Sequence, residues 1–160
     1  MLELAAYHHW ANEKLFATIA AQPEELLHQK FPGSFPTIYS TLLHMWDAES
    51  VWWQRIRLQE VITAPSSYFK GTGKDIMDTL LQQNKAWELF IRQSAPYALE
   101  HVCQYYTSKR ELFKQPVSQI IFHVFNHGTY HRGQLVTQLR QAGVTKIPGT
   151  DFILFGRKGK

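Results

Sequence analysis

The sequence predicts an all-α protein, a four-helix bundle, and three observations carry that reading. Apolar residues recur at steps of three and four through four long segments. Proline and glycine punctuate the chain between those segments. The connection between the third and fourth segments is longer than the others, and there a short β-hairpin or an irregular crossover is expected.

The first helix is expected over 2–21, with Leu4, Ala11, Leu15 and Ile19 in step and Pro23 stopping it. QPEELLHQKFPGSFP follows, with three prolines and a glycine, and reads as a connection with at most one short turn. Ser34 and Pro36 read as the start of the second helix, a capping hydroxyl ahead of a pre-set φ, and the helix is expected over 37–58. The third spans 74–95, opened by Gly73 and closed by Pro96. Any strand falls within 98–115, where β-branched and aromatic residues flank a polar TSKR centre. The fourth helix, 117–142, starts at Pro116 and closes at Gly143. The tail carries FILF, a short apolar piece expected to pack back on the body.

With 160 residues, 44% of them hydrophobic and 14% aromatic, the chain can bury a core, so a disordered tail is excluded. One domain is expected over 1–160. No apolar run approaches the ~18 residues of a membrane-spanning helix. MLELAAYHHWANEK carries acids, amides and histidines where a signal peptide would be apolar. The single cysteine excludes an internal disulfide framework, and a soluble, cytoplasmic protein is expected. Seventeen basic against thirteen acidic residues leave a net charge of only +4, with no basic run beyond the final RKGK, so nucleic acid is not the expected partner.

His123, His127 and His131 lie four apart in the fourth helix. With 8 histidines in 160 positions, about 0.02 such triplets arise by chance, so the pattern asks for a reason. Neighbours four apart share a helix face, and two imidazoles on consecutive turns can reach one ion. All three span ~12 Å of axis, too far for a single ion, so at most an adjacent pair takes part. The pair is His123–His127 or His127–His131, and a third ligand must come from another helix. His44, in an apolar stripe of the second helix, is one candidate, and bundles do build metal sites from facing core positions. His8 and His9 on the first helix are rivals, only one of which can face the core. His28 and His101 sit in connections and read as ordinary surface residues. The spacing is not a zincin, because Gly128 and Val124 stand where the glutamate after the first histidine would be. Gly128 and Gly133 each cost about 1 kcal/mol relative to alanine inside a helix. They are either tolerated imperfections or gaps left for a neighbouring helix or a substrate.

The run HVFNHGTYHRGQ, with LLHMWDAESVWW upstream, HHWANEKLF near the start and DFILFGR at the end, resembles the DinB family of the DinB/YfiT-like superfamily. The likeness covers essentially the whole chain, in order. It implies a four-helix bundle with a divalent metal on one histidine of the second helix and two, four apart, on the last. Matched onto this chain, those are His44, His127 and His131, with His123 outside the ligand set. It also implies a homodimer. Relatives include thiol-dependent S-transferases and isomerases and proteins assigned as metal-dependent hydrolases, while many members have no established reaction.

Three neutral imidazoles would leave an open coordination position, able to lower the pKa of a bound water or hold a thiol as its thiolate. Zinc or nickel suits an imidazole site best, with iron or manganese as alternatives and a low-molecular-weight thiol as a further cofactor. The expected function is a metal-dependent enzyme, a thiol-dependent transferase or a hydrolase, acting on a small molecule. The alternative is a non-catalytic, metal-stabilised protein of a stress or damage response. Asp47, three residues after His44, could partner that ligand or act as a base, although a solvated helix carboxylate is the plainer reading, and Glu49 faces elsewhere. Tyr130, Arg132 and Asn126 are expected to pack or bridge helices, Asp151 to serve a turn or cap, and Cys103 not to be a nucleophile. The tryptophans are core residues by default. Trp52 and Trp53 cannot both enter one bundle face, which suggests a dimer interface or a pocket mouth.

Overall fold

Each of the four long helices begins or ends where local chemistry dictates, as seen in the computed structural model, which describes residues 1–107 and 109–157. They are α1 (Leu2–Ala20), α3 (Ile38–Ile56), α4 (Gly73–Gln93) and α6 (Val117–Gln141). The one-turn helix α2 (Glu24–Leu27) lies in the first connection, and α5 (Pro96–Leu99) follows α4. A final short helix, α7 (Phe152–Gly156), packs Phe152 and Phe155 against Tyr7, and Phe155 against Trp10, so the FILF piece does return to the body. Asp151 stands at the N-cap position of α7. Ser108 of the TSKR centre and the last three residues of the RKGK run lie outside the described residues.

The start of α3 differs from the Ser34–Pro36 expectation. Thr37 is the cap: its hydroxyl accepts the Ser40 N–H at 3.0 Å and the Ser40 hydroxyl accepts the Thr37 N–H at 3.1 Å. This reciprocal pair satisfies two otherwise orphaned donors, which a hydroxyl at Ser34 could not reach. Thr72 and Asp75 form the same device at the start of α4. Gly143, with φ of +86°, turns the chain after α6 where a side chain would be strained. Of the hairpin and the irregular crossover, the hairpin is observed: β1 (Val102–Tyr106) pairs antiparallel with β2 (Leu112–Pro116), from Val102 opposite Pro116 to Tyr106 opposite Leu112. It runs one residue past the expected limit.

Helix α1 lies against α4 and α6, and α3 lies against α4 and α6, so the order around the bundle is α1–α4–α3–α6. Two apolar clusters fill it. One gathers Leu15, Ile19, Leu42, Met45, Leu80 and Leu135, the other Ala5, Trp87, Ile121, Val124 and Phe125. Trp52 and Trp53 find partners on opposite sides within the chain, Trp52 against Tyr105 and His123, Trp53 against Trp87 and Phe90. The tryptophan pair alone therefore does not call for a second copy.

Between the apolar clusters lies a buried polar layer to which every long helix contributes: His8 and Asn12, Glu49, Asn84 and Arg132 are each at most 2% exposed. Arginine can only donate, so the Arg132 Nη1 contact of 3.1 Å makes His8 Nδ1 the acceptor. The ring proton is then on Nε2, which donates to Glu49 at 2.9 Å. Asn84 Nδ2 donates to the other Glu49 oxygen at 2.9 Å, Asn12 Nδ2 to Asn84 Oδ1 at 2.8 Å, and Arg132 Nη1 to Asn12 Oδ1 at 3.1 Å. The circuit closes with one buried anion matched to one buried cation. Gly128 makes it possible, since a Cβ there would stand 2.3 Å from His8 Cε1. Of the two readings of this glycine, room for a neighbouring helix is the one observed.

Removing Glu49 strands the Arg132 charge in the interior, so Glu49→Ala should cost about 3–5 kcal/mol in urea unfolding. Gly128→Ala should cost about 1–3 kcal/mol by forcing His8 aside. Wild-type unfolding midpoints in both variants would contradict this account of the layer.

Candidate metal centre

At the level of the polar layer, α6 turns a second face toward α3. His127 and His131 sit on it one turn apart, and His44 projects from α3 to meet them. His44 Nε2 lies 3.2 Å from His127 Nε2, and His131 Nε2 lies 2.9 Å from the same atom. All three ligand atoms fall within 4.8 Å of one another, and no other such group of histidine, cysteine or carboxylate side chains converges among the described residues. Of the two pairs left open by spacing, the structure therefore brings together His127 and His131. The His123 ring is 5.7 Å from that of His127 and stacks edge-on against Trp52.

The rivals for the third position lie elsewhere. His8 is held by Arg132 and Glu49, and His9 lies toward α4 near Lys85 and Glu88. Asp47 is neither a free carboxylate nor a partner of a ligand nitrogen: its Oδ1 accepts the Ser66 N–H at 2.8 Å, tying down the loop after α3. Its charge still favours protonation of His44, opposing burial. Glu49 faces away from the cluster, as expected, but is buried. Arg132 bridges α6 to α1. Cys103 is buried in the hairpin, its thiol pushed up by desolvation, which is no environment for a nucleophile.

The donor set fits a divalent cation. Imidazole nitrogens ~2.0–2.1 Å from a tetrahedral zinc would lie about 3.3–3.4 Å apart, close to the observed spacings. Hydrogen bonding alone does not account for them. His131 Nδ1 lies 2.7 Å from Gln134 Oε1, a carbonyl that can only accept, so the ring proton is on Nδ1 and Nε2 presents a lone pair. A proton on His127 Nε2 could serve one of its two neighbours, not both well. A cation serves all three nitrogens.

Burial keeps these rings neutral. Desolvation, followed by repulsion from His131, His44, His123 and His8, lowers His127 to about 3. Desolvation also lowers His44, His123 and His131, against the Gln134 hydrogen bond in the case of His131. Neutral imidazoles are the form that ligates. Phe35 stacks on His44 with ring centroids 4.3 Å apart and meets His131 edge-on at 5.6 Å. Sequence reasoning missed Gln134 and Phe35. Gln134 could have been found as a polar residue three positions after a ligand, on the same face, whereas Phe35 lies in a connection and carries no pattern.

Comparison with known proteins agrees with the fold. The family model described as "DinB family" matches residues 1–157. Protein DinB of Bacillus subtilis (strain 168) is 29% identical over 160 residues, covering 96% of this chain and 91% of that protein. A DinB-like protein from Bacillus cereus ATCC 10987 superposes with a TM-score of 0.68 at 21% identity, over 87% of this chain and 89% of the other. YfiT from Bacillus subtilis, described as a probable metal-dependent hydrolase with an unusual four-helix bundle topology, gives 0.67 at 12% identity, over 89% of this chain and 87% of the other. These two likenesses establish the fold.

The low His127 value has a consequence for the ion-free protein. Between about 6.5 and about 3 the unfolded chain binds more protons than the folded one, so stability falls as pH falls through that window. Chelator-treated protein should lose urea resistance steadily from pH 7 to pH 4, and His127→Gln should flatten the decline. An unchanged slope in the variant would mean that His127 is not the group responsible.

Proposed function

The chain belongs to the DinB family, and from that premise we propose that His44, His127 and His131 hold one divalent ion in a metal-dependent enzyme. The observation that carries the proposal is the convergence of three neutral Nε2 atoms from two helices. Three protein ligands leave a coordination position for a reactant, unlike a closed four-ligand structural site. A divalent ion there supplies Lewis acidity at neutral pH. Zinc or nickel suits three imidazoles, with iron or manganese as alternatives.

The surrounding side chains have defined parts in this reading. Gln134 keeps the His131 proton on Nδ1, so that Nε2 remains a ligand. Phe35 covers one side of the His44 ring. The description of YfiT as a probable metal-dependent hydrolase favours hydrolysis, and transfer of a low-molecular-weight thiol to an electrophile is the other reaction class to test. A purely structural ion, as in the stress-response alternative, has less to do here, because the buried polar layer already ties all four helices together.

Metal analysis after dialysis tests the ligands. His44→Ala, His127→Ala and His131→Ala should each lose the ion, while His123→Ala should keep about one per chain. Gln134→Ala should weaken binding about 10–100-fold without abolishing it. An essential His123 with a dispensable His131 would move the site by one turn. Retention of the ion by all of these variants would end the proposal. Metal-loaded protein should then be screened with thiols plus electrophilic acceptors, and with esters and amides, using His44→Ala as the control.

A further inference from the structure

Gly133 is a glycine without a structural task. It lies inside α6, outside the positive-φ region, and a Cβ built on it would meet nothing within 4 Å. Alanine there would strengthen the helix. Gly128, five residues earlier, contrasts with it, because that glycine is required by His8. What Gly133 does have is an open surface cavity above it of about 370 Å³, most of its lining residues exposed, with a volume in the range of small-molecule sites.

This cavity borders the histidine cluster. Phe35 lines it and stacks on His44; Tyr130 lines it and meets His131 edge-on at 5.0 Å. Gln134, whose carbonyl fixes the His131 tautomer, lines it as well. No lining side chain carries a charge. The Thr137 hydroxyl is engaged by the Gly133 carbonyl, and Gln138 by Thr41 and the Phe35 carbonyl. Among the lining side chains, the polar groups left without a partner are the Gln134 amide N–H donors and the Tyr130 and Ser34 hydroxyls. A charged ligand would find no opposite charge among these side chains.

We propose that the cavity over Gly133 is a binding site for a small, uncharged, planar molecule bearing a hydrogen-bond acceptor. Such a molecule lies on bare helix backbone against the Phe35 and Tyr130 rings and accepts from the Gln134 amide, beside the proposed metal ligands. Gly133 is then a specificity-determining residue, kept small for the ligand at the helix's expense. The role of this ligand as substrate rests on the metal-site reading, but its binding does not.

Benzamide is a suitable probe, with benzoate and benzylamine as charged counterparts, each titrated into isotope-labelled, zinc-treated protein and followed by NMR. Benzamide should shift the backbone amides of Gly133, Gln134 and Thr137 and saturate, while the two ions bind at least tenfold more weakly. Gly133→Leu should lose at least tenfold in benzamide affinity with its zinc content unchanged. Gly133→Ala should raise the Tm by about 2–4 °C. Equal binding of all three probes, no loss in Gly133→Leu, or a lower Tm in Gly133→Ala would each overturn the proposal. So would a change of particle mass in Gly133→Leu by light scattering, which would assign the face to a second copy of the chain. Repeating the benzamide titration on His127→Ala separates the two readings: binding that persists there supports the pocket even if the metal centre fails.

Discussion

The fold depends most on one circuit of hydrogen bonds, from Glu49 through His8 to Arg132 and back through Asn12 and Asn84. A buried carboxylate and a buried guanidinium are each costly, and they are tolerated because both are hydrogen-bonded to the polar side chains between them. Apolar packing would accept many rotations of each helix about its own axis. This circuit accepts one. Residues 131 and 132 point about 100° apart on α6, so once Arg132 is joined to α1, His131 must look toward α3. The polar layer therefore orients the histidine face without touching the ligand nitrogens.

Several parts of this arrangement were legible in the sequence, for physical reasons. The four long helices follow from an apolar period interrupted by Pro23, Gly73, Pro96 and Pro116, because those residues act locally. His127 and His131 share a face because spacing of four is a property of the helix itself. The choice of His44 over His8 was not available from spacing, since it depends on which helices are neighbours, and the family resemblance supplied it. The order α1–α4–α3–α6 sets α1 opposite α3, and no local pattern states that.

The polar layer was partly written in the chain but hard to read. Asn12 follows His8 by one turn, and Asn84 interrupts the apolar stripe between Leu80 and Trp87, so both mark polar atoms at core positions. Which groups answer them is a matter of tertiary pairing. Glu49 illustrates the limit: its position five after His44 excluded it from the ligand face, yet said nothing of the arginine it would balance. The Thr37 cap also escaped, because Ser34 and Pro36 offered an equally good local signal, and the reciprocal bond with Ser40 decided between them.

The separation of His44 from His127 by 83 positions has a bearing on how the protein is made. During synthesis α1, α3 and α4 leave the ribosome before α6, so for most of that time only one of the three imidazoles exists outside it. His8 likewise waits for Arg132, and Glu49 for the charge that offsets it. No ion can template the early stages of assembly, because the cluster comes into being only when the last long helix docks. Metal uptake at the proposed site would thus be a late event, open only to chains that have completed the bundle.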